Sequence, residues 1–395
     1  MSRTPLWTKQ FVMIVIANGL LFSSFHALLP TLPMYVASLG ASGSAVGIIT
    51  GIFGISAIFI RLFTDDVVRK FGKKKCLYAG ILLTILATFS FTIFTSLQML
   101  VAARIIQGFG FGLGTTFAAA LAVDIIPASR RGEGVGYFGL GSTVAMGSAP
   151  ALGVLLLTDF NANYLFTFSI AVAALSIVSA ASSGTPAHTQ PLHEKVHVFL
   201  LSRFFEKGTA FPAFFTMLFG FSYGGVNTFI VLMAQEAHIE NAGLFFVVGT
   251  IFIFLTRTFG GRIYDTKGPF WILFPGILSY TMATFVITQA TSFALLMVSA
   301  VLYGTGAGLI MPSLMTWLFN SVRPERRSNA SATYYNTLDT GTSGGIMILG
   351  SVAGVVGYIT MFYVIFAVMV LFLGAFLGQY FFHPVPVKKR EIEES

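Results

Sequence analysis

The sequence predicts an all-α integral membrane protein, with twelve transmembrane helices in two pseudo-symmetric six-helix bundles. Three observations predict it. The 395 residues are 55% hydrophobic and only 10% charged, with a mean hydropathy of +0.82, where a soluble chain carries about 25% charged residues. Long stretches contain no Lys, Arg, Asp or Glu, among them FVMIVIANGLLFSSFHALLPTLPMYV at 11–36, and roughly 20 apolar residues span a bilayer as helix. Finally, RLFTDDVVRKFGKKK at 61–75 has a worn copy, RTFGGRIYDTKG at 257–268, 196 positions later.

The elements follow in order. The run at 11–36 is too long for the apolar core of a signal peptide and has no well-placed small-residue cleavage site, so it reads as the first span. Uninterrupted apolar runs then place spans near 44–64, 76–95, 98–122, 134–157, 163–182, 209–234, 242–262, 271–290, 293–319, 329–350 and 358–383. The connections after the even-numbered spans are basic, and those after the odd-numbered spans contain no Lys or Arg. Of the 23 basic residues, 22 fall on one side of such an arrangement, together with both termini. The positive-inside rule puts that side in the cytoplasm and the protein in the inner (plasma) membrane. The eight formal charges within 61–75 therefore mark a cytoplasmic turn, and the net charge of +8 needs no nucleic acid to explain it. The single cysteine, Cys76, excludes an internal disulfide.

The repeat divides the chain. At an offset of 196, Arg61 pairs with Arg257, Phe63 with Phe259 and Gly72 with Gly268. Gly108, Gly110 and Gly112 pair with Gly304, Gly306 and Gly308, and Arg130 and Arg131 with Arg326 and Arg327, without a gap. Two halves of the same topology imply parallel repeats about an axis normal to the membrane. The expected organisation is a first half at 1–182, a polar cytoplasmic linker at 183–208, a second half at 209–383 and a cytoplasmic tail at 384–395. The linker's second part reads as a surface helix or as plain connection.

Twelve helices in two halves, with G-x-x-x-D-R-x-G-R-K-type turns after the second and eighth spans, resemble the major facilitator superfamily over essentially the whole chain. The resemblance implies a site between the halves, which rock to give alternating access. It also implies that the turns act as latches. The second copy fits the pattern with Gly261, Arg262, Asp265 and Gly268. The first departs: Asp65 stands where Gly is expected and Arg69 where the acid is expected, while Lys70, Gly72 and Lys73 fit. Asp65 facing Arg69 and Asp66 facing Lys70 at i,i+4 spacing is one reading; a solvated topogenic cluster is the other.

RIIQGFGFGLG at 104–114 resembles the family's R-x-x-Q-G motif through Arg104, Gln107 and Gly108. The glycine spacing is not that of a phosphate loop and no strand precedes it; glycines on membrane helices serve close packing. Arg104 sits about 9 Å from the outer end of its helix. A base at that depth faces a cavity or a partner, or else snorkels. GSTVAMGSAPALG at 141–153 resembles the family's exporter motif G-x-x-x-G-P-x-x-G, with Ala149 in place of the second Gly and with Pro150 and Gly153 matching.

Few carboxylates are left to couple to protons. Asp339 lies twelve residues from Arg327, hence about 18 Å deep, where an isolated carboxylate pays heavily for its charge and could bind a proton reversibly. The alternative is a carboxylate hydrogen-bonded to neighbouring Thr and Ser. Asp124 lies near the inner end of the fourth span. His26, in the first, is a second coupling candidate because histidine changes charge near neutral pH; a packing role is the alternative. Among the 42 Phe, 13 Tyr and 3 Trp, helix depth nominates Phe22, Phe25, Tyr223, Tyr334 and Tyr335, with Asn227 and Asn336, to line the path. An aromatic cavity with few fixed charges suits amphiphilic cargo.

The expected function is a proton-coupled secondary transporter exporting small amphiphilic compounds, such as a drug or metabolite. A proton symporter for nutrient uptake and a lipid-handling flippase are the alternatives. No nucleophile or metal cluster indicates an enzyme, and no motif calls for a cofactor or metal. Its expected partners are a small-molecule substrate, the proton and the lipid bilayer, with no nucleic acid, and the expected state is a monomer.

Overall fold

The computed structural model describes residues 6–127, 130–184, 208–323 and 327–382, apart from the side chains of 65, 131, 132, 258–262, 264–267, 327–329, 331, 332 and 382. Among these residues the regular structure is helical throughout. The helices are α1 (Lys9–Ser38), α2 (Gly43–Arg61), α3 (Thr64–Phe71), α4 (Lys73–Ile93), α5 (Leu97–Ile125), α6 (Arg131–Leu155), α7 (Ala162–Ser182), α8 (Ala210–Glu236), α9 (Leu244–Lys267), α10 (Phe270–Thr288), α11 (Phe293–Asn320), α12 (Arg327–Val356) and α13 (Tyr358–Phe382). A π-helical turn over Leu156–Phe160 extends α6.

Among the described residues, ten of them are long and apolar enough to cross a membrane. In α9 the apolar described stretch is Leu244–Arg257, and α12 carries Asp339. Short α3 occupies the charged turn. The helices overrun their apolar runs by a few residues, because the backbone ladder continues past the point where side chains cease to suit lipid. Starts are capped locally: the Thr8, Ser42 and Ser292 hydroxyls accept from the backbone N–H groups of Phe11 (3.2 Å), Ala45 (3.3 Å) and Leu295 (3.4 Å). The chain reverses after α3 at Gly72 (φ 80°) and after α9 at Gly268 (φ 89°), a backbone conformation that only glycine adopts cheaply. The predicted turn around 261–265 is instead helix; its side chains lie outside the described residues, as do 185–207 of the linker and the tail from 383.

The repeat is visible in the packing. Gly108 meets the Phe53 backbone, and Gly304 meets Gly249, 196 positions on from each. Gly112 meets Ala57 as Gly308 meets Ile253, and Gly110 meets Gly80 and Thr84 as Gly306 meets Gly276 and Tyr280. In both halves, glycine lets backbones approach to a distance a Cβ would forbid. Between the halves, α2 packs along α12, α6 meets α9 and α1 meets α8. Gly43 and Gly47 of α2 lie on Gly354 and Gly350 of α12, and Gly51 and Gly54 lie on Ser343. At the same end, Gly243 lies against Ala151 and Val154. The halves are thus packed together at the end remote from the termini.

Candidate functional site

Toward the basic end, α2 and α12 are joined by a salt bridge from Arg61 Nη1 to Asp339 Oδ2, their side chains 25% and 31% exposed. Asp339 is therefore not the isolated carboxylate that its depth alone predicts, nor one satisfied by Thr and Ser; its charge is matched by a base from the other half. A second contact crosses between α6 and α9, where Arg257 Nη1 donates to Thr143 Oγ1 at 3.3 Å. The 196-residue offset that carries Arg61 onto Arg257 also carries Thr143 onto Asp339. The two contacts are equivalent positions of the repeat, one ionic and one neutral. Tyr335 lies within electrostatic reach of Asp339, Arg61 and Arg257, so these groups share one region between the halves.

Beside it is a narrow cavity formed by α6, α8, α9 and α11. Thr143, Thr250, Arg257, Tyr223, Asn227 and Tyr303 give it polar groups; Met146, Phe246, Ile253 and Met311 give it apolar walls. Asn227 Nδ2 donates to the Tyr303 hydroxyl at 2.8 Å and to the Tyr223 carbonyl at 2.7 Å. The Tyr223 and Tyr303 rings stack with centroids 6.1 Å apart. This locks the amide and both rings into one unit along the cavity wall.

The other predicted residues are placed as follows. Arg104 is fully buried, which excludes snorkelling. It donates to the α2 carbonyls of Ile49 (3.2 Å) and Thr50 (3.3 Å) and to Gln107 Oε1 (2.6 Å), with its guanidinium 4.6 Å from the Phe53 ring centroid. Gln107 in turn donates to Thr88 Oγ1 at 3.0 Å. The R-x-x-Q pair thus pins α5 to α2 through backbone carbonyls and to α4 through the Thr88 hydroxyl, rather than through an acid. Asp124, 2% exposed, takes both carboxylate oxygens to Lys73 Nζ at 2.9 and 2.7 Å. That pair joins α4 to α5 within the first half and does not reach across to the second.

His26 Nδ1 donates to the Phe22 carbonyl at 3.0 Å, and its ring sits between Phe22 and Phe25. Phe25 stacks on Phe53 at 4.2 Å and packs on Phe111 at 4.6 Å. The expectation that Phe25 lines the path is corrected: it is buried in the core of the first half, because α1 turns that face toward α2 and α5. Phe22 also contacts Phe111. Tyr223 and Asn227 line the cavity, whereas Tyr334 is buried with its hydroxyl donating to the Met311 carbonyl at 3.2 Å, and Asn336 is buried on α12. Ala149 and Pro150 are buried, and Gly153 packs on the Ala27 backbone, so the small-residue face of α6 is spent on α1 in the same half. Asp65, Gly261, Arg262 and Asp265 have side chains outside the described residues; Arg69 and Lys70 are exposed on α3.

Arg61, Arg257, Thr143, Thr250, Phe246 and Tyr303 escaped the sequence reading. For the first two the signal was present: the repeat aligns both arginines, and its offset relates Thr143 to Asp339.

The comparisons agree with this architecture. A family model described as Major Facilitator Superfamily matches residues 14–345 and 213–395. The chain is 23% identical over 388 residues to the Staphylococcus aureus staphylopine export protein, covering 93% of this chain and 96% of that one. It is 22% identical over 355 residues to the S. aureus quinolone resistance protein NorA, covering 87% and 89%. Among solved structures, the nucleoside transporter NupG superposes with a TM-score of 0.74 at 17% identity, covering 94% of this chain and 99% of that one. An auto-inhibited POT family peptide transporter superposes at 0.76 with 12% identity, covering 98% and 99%. The match spans both halves, the fold agrees and the halves repeat the same glycine contacts at a constant offset: the chain belongs to the major facilitator superfamily and is a multi-pass membrane transporter.

Proposed function

We propose that this transporter exports small amphiphilic compounds in exchange for protons, from a cell membrane in which both its termini are cytoplasmic. The observation that carries this reading is the Arg61–Asp339 salt bridge, a titratable link between the two halves beside the cavity. Ionised Asp339 holds α12 to α2 through Arg61. Protonation from the outer side removes the charge that holds Arg61, and the cytoplasmic ends part. Release of the proton inside, with entry of cargo, restores the link and closes that end again. Proton and cargo thereby cross in opposite directions, which is antiport. The cavity, with aromatic walls and few fixed charges, suits an amphiphilic molecule. The staphylopine export protein, similar along nearly its whole length, supports the outward direction.

The test uses inverted membrane vesicles with an acid interior and a fluorescent amphiphilic dye. Dye accumulates inside, and the lumen loses acidity as it does so. Accumulation only in right-side-out vesicles with an acid exterior would establish symport instead, and transport indifferent to the proton gradient would remove Asp339 from the mechanism.

A further inference from the structure

Among the described residues, charges near the path have identifiable partners. Asp339 has Arg61, Asp124 has Lys73, and buried Arg104 has two carbonyls and an amide oxygen. Glu236, at the remote end, caps α13 by accepting from the Tyr358 and Ile359 backbone N–H groups at 2.7 and 3.4 Å. Arg257 is different. It is exposed, it lines the cavity, and among the described residues it donates to the neutral hydroxyl of Thr143. Among the described residues no carboxylate forms a salt bridge with Arg257, so an anion entering the cavity gains more from Arg257 than it would from a base already paired.

The repeat shows which anion the geometry accepts. Arg61 is the copy of Arg257, and the residue at the copy of Thr143 is Asp339, a carboxylate. A guanidinium offers a planar fork of donors that a carboxylate matches with two oxygens. Around Arg257, the Tyr223 and Tyr303 rings and Phe246 offer faces for an apolar body along the cavity wall.

We propose that Arg257 anchors a binding site for an organic monocarboxylate with an aromatic or amphiphilic body, the cargo carboxylate standing to Arg257 as Asp339 stands to Arg61. This deepens the export reading, and rests on it, by naming the charge class of the cargo.

The experiment compares acids with their uncharged amides on the purified full chain in lipid nanodiscs. The probe pairs are 2-naphthylacetate with 2-naphthylacetamide, and octanoate with octanamide, read by thermal shift and tryptophan fluorescence. The wild type prefers the acid of at least one pair by about tenfold, the order expected for one hydrogen-bonded charge. Arg257→Gln abolishes the preference and Arg257→Lys keeps part of it. Thr143→Asp also abolishes it, by giving Arg257 the internal carboxylate that Arg61 already has; because that pair copies one the fold contains, the variant inserts and folds. Equal affinity for acid and amide in the wild type overturns the proposal. So does failure of both pairs to bind at millimolar concentration, or a preference for acid that survives both Arg257→Gln and Thr143→Asp. These binding measurements are blind to direction and to protons. Their failure leaves export standing, whereas uptake in the vesicle assay with acid preference intact sinks export alone.

Discussion

Adding one methyl group to Gly47 should open the end of the transporter remote from its termini. A Cβ built there lies 2.9 Å from both the Gly350 Cα and the Ile346 carbonyl oxygen of α12. Ordinary contact begins at 3.4 Å, so the two backbones must separate by 0.5 Å. Both obstacles are main chain, and no side chain can rotate away. Overpacking of this kind costs about 1–3 kcal/mol. Because the strain exists only where α2 and α12 are in contact, it falls on the packed state and spares any state in which they part. At about 1.4 kcal/mol per tenfold, the packed population falls roughly 5- to 150-fold against the parted one. The Ser44 and Ser351 hydroxyl oxygens lie 3.4 Å apart across the same interface, so Ser44→Cys with Ser351→Cys reports its closure by disulfide formation in vesicles. Cys76, the chain's single native cysteine, is buried and gives little background. Gly344→Ala is the control, since a Cβ at that α12 position meets no atom within 4 Å. Gly47→Ala should slow cross-linking at least fivefold and Gly344→Ala should not. Equal rates in all three proteins, or an equal loss in the control, would show that this contact does not govern closure.

Three further outcomes follow from the charge pairs. Asp339→Asn should insert and fold yet lose transport driven by a pH gradient, and Arg61→Asp combined with Asp339→Arg should recover protein stability without recovering coupling at its original strength; vesicle flux and a melting curve read the two effects. Lys73→Met leaves the carboxylate of Asp124, 2% exposed, without its counter-charge and should cost about 3–5 kcal/mol. Combining it with Asp124→Asn should return most of that stability in the same melting assay. Arg104→Lys should lower stability by about 1–3 kcal/mol, because a single ammonium cannot reach the Ile49 and Thr50 carbonyls and Gln107 together.

What the sequence determined by itself is what depends on position along the membrane normal. Where helices begin and end, which connections are basic and where the chain repeats are all one-dimensional quantities, because lipid selects apolar runs and the rise of a helix converts residue number into depth. Arg104, Asp339, Tyr223 and Asn227 were nominated from depth in this way. Rotation about each helix axis was not legible. Helices that are apolar nearly all round carry no amphipathic stripe to give their phase, so Phe25, at a suitable depth, proved to face the core of the first half and not the path. Only the tertiary structure decided the partners. Arg61 and Asp339 are 278 residues apart and Lys73 and Asp124 are 51 apart; nothing local in either segment specifies the pairing. It arises when glycine-lined backbones of α2 and α12 pack closely enough to bring an arginine and a carboxylate together between two halves.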